Sequence, residues 1–131
     1  MIQQRITIIR IRKPERSTLN AELQWLGTSL GLFNLRDKER SCFRIFIELL
    51  KTTKQNNSIT SDQLAQKLQL SRGTVMHHIH KLMETGLIIY ESRGYMLRVN
   101  SLSALIDELE QDTIRTCKTL HAVAEDIDER L

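Results

Sequence analysis

Between Ser71 and Lys81 the sequence SRGTVMHHIHK sets hydrogen-bonding side chains at helical spacing. An arginine can grip guanine O6 and N7 with two bonds, and a threonine can donate or accept while its methyl meets thymine. Arg72 and Thr74 supply these groups. His77 can donate to a base or a phosphate, and Lys81 suits a phosphate. Ser71 and its neighbouring amides suit a phosphate at a helix N-terminus. The chemistry is recognition of a nucleic-acid groove. No carboxylate pair, nucleophile–base spacing or phosphate-binding loop accompanies it, so neither an enzyme nor a cofactor is expected.

A helical wheel sorts these residues. With Val75 at zero, Ile79 and Leu82 fall within about 40° of it and hold the helix to a body. Gly73, His77 and Lys81 fall near the opposite side, with Thr74 beside them and His80 on the shoulder. His78 lies about 60° from the apolar centre and is counted with the DNA-side candidates. For each of these residues, plain solvent-exposed helix surface is the alternative. The exposed face carries donors, acceptors and a thin backbone at Gly73, which suits insertion into a major groove.

The elements that position this helix can be read from punctuation. Ser71 caps its start and Gly86 ends it. Thr60 and Gln63 form T-x-x-Q, a capping box opening the preceding helix, in which Leu64, Ala65 and Leu68 face the core. Gln69 and Leu70 make the turn, with Leu70 plugging the angle between the helices. After Leu87, two β-rich runs flank Ser92-Arg93-Gly94, a hairpin turn with Gly94 at the position expected to need positive φ. Arg93 at the tip is placed for the minor groove or backbone, with Arg98 in support. Tyr90 and Tyr95 are expected to pack across the hairpin, and Ile59 to add one strand residue against it.

Residues 71–87, SRGTVMHHIHKLMETGL, resemble the ArsR/MarR-type winged-helix pattern S-x-x-T-V-x-x-H-L-x-x-L-x-x-x-G-L. Ser71, Thr74, Val75, His78, Leu82, Gly86 and Leu87 match, and Ile79 replaces Leu. Met76 stands where that family often has Ser. The resemblance covers roughly residues 36–100, and the flanks look more like small archaeal winged-helix regulators. It implies a dimeric transcription regulator with this helix in the major groove, and it makes His78 mainly a packing residue. The ArsR branch often senses metals through Cys pairs or His/Asp sets. Cys117 and His121, at i and i+4, are the only candidates here, and surface and packing roles suit them better.

The rest of the chain frames the reader. Residues 2–12, IQQRITIIRIR, suggest a strand ending before Pro14, with Ile6 and Ile8 on one face and Ile9 and Ile11 on the other. Its partner would be the wing or the same strand of a second chain. From Ser17, a helix with Leu19, Leu23, Leu26 and Leu30 on one stripe follows, capped by Ser17 or Thr18 and ended by Gly31. Asn34 to Asp37 is a connector. Residues 38–54 form a helix whose core stripe is Phe43, Phe46, Ile47 and Leu50, widened by Cys42 and Leu49. Ser101–Leu131 reads as one long helix. Its apolar positions Leu102, Leu105, Ile106 and Leu109 are followed, after an irregular join at Thr113 and Ile114, by Cys117, Leu120, Ala124, Ile127 and Leu131. The second group has coiled-coil spacing. Dimerisation would cover this stripe, and folding back on the N-terminal helix is the alternative.

Composition sets the bounds. The chain has 131 residues and a net charge of +3. Residues 1–60 carry eleven Lys/Arg against five Asp/Glu, residues 61–100 five against three, and residues 101–131 three against eight. A basic body faces a polyanion, and the acidic end should lie away from it. Two distant cysteines without CxxC spacing fit a reduced cytoplasmic protein. No membrane span is expected, and no signal-peptide cleavage pattern follows the N-terminus.

The expected fold class is mainly α with a small β-wing: a winged helix-turn-helix plus an N-terminal strand and helix and a long C-terminal dimerisation helix. The expected division is 1–35 as accessory strand and helix with a dimer contact, 36–100 as the DNA-binding domain, and 101–131 as the dimerisation helix. The expected function is a homodimeric, sequence-specific double-stranded DNA-binding transcription regulator, a repressor. It places the helix at 72–85 in the major groove and the wing at 90–96 on the minor groove or backbone. A protein-interaction winged helix and a non-specific architectural chromatin protein remain open alternatives. The sequence names no effector.

Overall fold

In the computed structural model, residues 2–16, 18–33 and 40–131 are described. The proposed Ser17 cap, the connector at 34–37 and residue 38 at the start of the second helix lie outside them. Among the described residues, five helices and one hairpin follow in chain order: α1 (Leu19–Ser29), α2 (Ser41–Lys54), α3 (Ser61–Leu68), α4 (Arg72–Thr85), β1 (Ile88–Glu91), β2 (Gly94–Leu97) and α5 (Leu102–Arg130). This is the mainly helical fold with a small wing and a long last helix that the sequence suggests.

Local chemistry sets the boundaries. Thr18 accepts the Ala21 amide and starts α1, and Gly31 leaves it at φ +72°. The capping box at α3 is complete, with Thr60 accepting from the Gln63 amide and the Gln63 side chain accepting from the Thr60 amide. Gln69 then turns the chain at φ 55°, and half-buried Leu70 packs on the core. Ser71 accepts the Thr74 amide to open α4, and Gly86 closes it at φ +81°.

The core lies where α2, α3, α4, the wing and the first half of α5 converge. Phe46, Leu49, Leu64, Val75, Ile79, Leu82, Leu87, Leu97 and Leu105 are all buried. Burying an aliphatic or aromatic side chain of this size is worth about 1.5–3 kcal/mol. The α2 stripe differs from the sequence reading. Cys42, Ile45, Phe46 and Leu49 form the buried row, while Phe43, Ile47 and Leu50 are only half-buried. Phe43 instead meets Phe33, with ring centroids 4.7 Å apart. A Cβ on Gly27 would lie 2.8 Å from the Phe43 ring, so α1 approaches α2 there because it has none.

Polar groups fix the helices in register. Arg44 donates to the Leu68 carbonyl at 2.8 Å, closing the end of α3. Lys67 neutralises the buried carboxylate of Glu48 and so ties α3 to α2. Thr53 Oγ1, buried, accepts the Leu97 amide at 2.9 Å and joins α2 to the wing.

The wing is an antiparallel pair with Tyr90 opposite Tyr95 and Glu91 opposite Gly94. Ile59 adds one bridge to Tyr95, as its position suggested. The turn chemistry differs from expectation. Positive φ falls on Ser92 and Arg93, the two central residues of a type I′ turn, and not on Gly94. Gly94 is required for a different reason: a Cβ there would lie 2.8 Å from Ser58 Oγ and 3.0 Å from the Ile59 backbone.

Two larger corrections concern the ends of the chain. Residues 2–16 form neither strand nor helix. The segment runs as an arm across helices. Arg5 N donates to the Glu84 carbonyl, Ile9 N to the Ser29 carbonyl, and Trp25 Nε1 to the Ile11 carbonyl. α5 is continuous through Thr113 and Ile114, with no irregular join. Its distal half does not fold back on α1: residues 114–131 are all exposed.

Candidate nucleic-acid interface

α4 is built with two faces. Val75, Ile79 and Leu82 are fully buried and seat it on α2 and α3. Ser71, Arg72, Gly73 and His77 are exposed, and Thr74 and Lys81 are half-exposed beside them. A Cβ at Gly73 would meet nothing within 4 Å, so this face is open. The Ser71 hydroxyl donates to Thr74 Oγ1 at 2.8 Å, which orients both hydroxyls at the helix start.

His78 is a correction to the DNA-side set. It is buried at 8% exposure, on the packing side, with its ring 5.2 Å from that of His77 in an edge-on contact. The wheel angle of about 60° put it at the boundary, and the neighbouring elements close over it. Arg98 is a second correction. It turns away from the wing tip toward α5, where it bonds Glu108 at 3.0 Å and the two oxygens of Asp112.

Arg93 stands exposed at the tip of the wing, held in a left-handed conformation. Below it, Tyr90 and Tyr95 pack ring to ring at 5.1 Å, as expected for a cross-strand pair. Ser58 donates to the Ser92 carbonyl at 3.1 Å and braces the turn. Arg93→Ala should lower the slope of log affinity against log salt by about one unit. A titration of duplex binding across salt concentrations checks this, and an unchanged slope would remove the wing tip from the contacts.

Sequence reasoning missed the partner of Arg72. Asp62, in the first turn of α3, meets Arg72 through Nε at 3.0 Å and through Nη2 at 3.2 Å. The two-bond geometry fixes the plane of the guanidinium, although both side chains are exposed. Their separation of ten residues crosses the turn, so no periodicity links them. The tie at the far end of α4 was missed too. Arg5 pairs with Glu84 at 2.8 Å, and Gln4 donates to the Thr85 carbonyl at 3.1 Å. Gly86 permits this approach, since a Cβ there would lie 2.3 Å from Gln4 Nε2.

This arrangement of two helices across a tight turn, followed by a hairpin, has a counterpart among known families. Residues 46–96 match the model of an HTH domain. The match runs from the middle of α2 to the wing and takes in all of α3 and α4. This HTH domain supports a DNA-binding regulator. No curated protein matches the chain.

Among the described residues no three His, Cys, Asp or Glu side chains gather where they could hold a metal ion. Cys117 is exposed, and His121 lies 3.4 Å from Glu125. No described helix is long and apolar enough to cross a membrane.

Proposed function

We propose that the protein is a homodimeric transcription regulator that binds double-stranded DNA sequence-specifically and represses by occluding its site. α4 enters the major groove, and the wing tip rests on the minor groove or backbone. The motif in α4 supports a reading as an ArsR/MarR-type regulator. The observation that carries the reading is the open face of α4, where Arg72, Thr74, His77 and Lys81 stand around the bare backbone of Gly73. In a dimer the two copies of Thr74 lie about one turn of B-DNA apart, near 34 Å, and read a pseudo-palindrome.

Selection of bound sequences from a random duplex pool, read beside the mass of the protein in solution, tests this. An enriched two-fold motif with half-sites about ten base pairs apart is expected. Uniform binding of all duplexes would favour an architectural role. No binding at low salt would favour a protein-interaction module. On the selected site, Arg72→Ala should cost about 1–3 kcal/mol and relax specificity at one base pair. Equal losses on selected and random DNA would reassign Arg72 to a phosphate.

A further inference from the structure

The chain exposes more surface than its mass accounts for. Its accessible area is 9527 Å². A compact monomer of 15.3 kDa would expose roughly 7,100 Å². The excess, about 2,400 Å² per chain, lies at the upper end of what each partner of a permanent dimer buries, about 1,000–2,500 Å².

Two surfaces stand out in this excess. One is the arm, where Ile2, Ile8, Ile9 and Ile11 are exposed. The other is the distal half of α5, where Ile114, Leu120, Val123, Ile127 and Leu131 are exposed. With Ile106 and Thr113, the positions Leu120 and Ile127 make one unbroken heptad row along α5. The two surfaces carry opposite charge. The arm holds Arg10, Arg12 and Lys13, and among the described residues no carboxylate pairs with any of them. The end of α5 holds Glu125, Asp126, Asp128 and Glu129, with Arg130 3.5 Å from Asp126 and His121 3.4 Å from Glu125. Within one chain the two surfaces do not meet.

Their placement says how a second copy would join them. The arm starts at the middle of its own α5, where Gln4 bonds Asp112, is held along α1 through Ile9 and Ile11, and ends with Lys13 and Pro14 beside Leu102 at the start of α5. If two α5 helices are laid antiparallel and overlapped over Leu102–Arg130, Glu125 and Glu129 fall level with Asp107 and Ser103 of the partner subunit. Lys13 borders that stretch beside Leu102, and Arg10 and Arg12 lie in the exposed arm just before it. Three arm cations there outweigh the like charge of Asp107. A parallel pairing would leave the acidic ends together and the arms uncovered.

We propose that two copies cross-dock, the basic apolar arm of each seating against the acidic end of the other's α5. This rests on the homodimer of the proposed function and assigns what covers each face. Two charge-reversed full-length chains test it. One carries Arg10→Glu, Arg12→Glu and Lys13→Glu; the other carries Glu125→Lys, Asp126→Lys, Asp128→Lys and Glu129→Lys. All seven sites are exposed, so circular dichroism should match the wild type. Sedimentation should find wild type as a dimer and each variant with a dimer dissociation constant raised about a hundredfold or more, because like charges now face each other. An equimolar mixture should recover the dimer, since each reversed arm then meets a reversed helix. A mixture that stays monomeric, or an arm-reversed chain that dimerises like wild type, would overturn cross-docking. A wild type that is monomeric would overturn the homodimer as well.

Discussion

Arg98→Ala should lower the free energy of unfolding by about 3–5 kcal/mol, the cost of breaking a buried pair from one side. Asp112 is 5% exposed in the middle of α5. It accepts from Arg98 and Arg115, and from Gln4 at 2.9 Å. The hydrogen bond from Arg98 holds its carboxyl down to about 2, against the desolvation that pushes it up, with Gln4 helping. Removing Arg98 leaves that carboxylate to Gln4 and to the exposed Arg115, so the lower end of the range is expected. It also frees the root of the wing from α5, since Arg98 directly follows β2. Urea unfolding at neutral pH measures the change, and a loss under about 1 kcal/mol would show that the network contributes little. The pH dependence gives a second reading. Because the folded value lies below the unfolded one, the contribution is fully present above the ordinary 3.8 and is lost as pH falls through about 2. That span corresponds to about 2 kcal/mol, and in the Arg98→Ala protein it should flatten.

Leu120→Glu combined with Ile127→Glu should convert the protein to monomers and weaken binding to a two-fold site by about 10²–10⁴. Both side chains are exposed in the single chain, so a monomer would tolerate the change with its thermal unfolding unaltered. In a dimer they sit on the heptad row, where a buried unpaired carboxylate is costly. Two linked reading heads gain from effective concentration, and separate ones do not. Sedimentation and binding titrations on whole and half sites check this. Whole-site affinity that holds while the mass stays dimeric would place the dimer contact elsewhere.

Much of the reading head was legible because its determinants are local. Ser71, Gly86 and the Thr60–Gln63 box act within one helical turn, and the apolar face of α4 follows from 3.6-residue periodicity alone. What escaped depends on distant neighbours. Ile-rich residues 2–12 have the composition of a strand, but a strand exists only where it pairs with an edge, and this segment bonds instead to the carbonyls of Glu84 and Ser29. His78 sits at an angle that local periodicity cannot assign, and surrounding elements bury it. Arg98 looks like a wing cation until Asp112, fourteen residues on, claims it. In α2, the true core row includes Ile45, which the placement of the helix against α4 and β2 selects. Gly94 was recognised as necessary, but for its backbone angle; the cause is the closeness of Ser58 and Ile59.

The contact between Asp62 and Arg72 gives the reading head an internal counter-ion. A bare arginine at the groove would be drawn to any phosphate and would release a bound ion on contact. Here the carboxylate already occupies that role, so arrival at an arbitrary sequence gains little from this side chain. A guanine edge or a phosphate, each offering two acceptors, must displace that carboxylate to reach the guanidinium. In the proposed regulator the pair should therefore reduce the share of the salt dependence that Arg72 contributes.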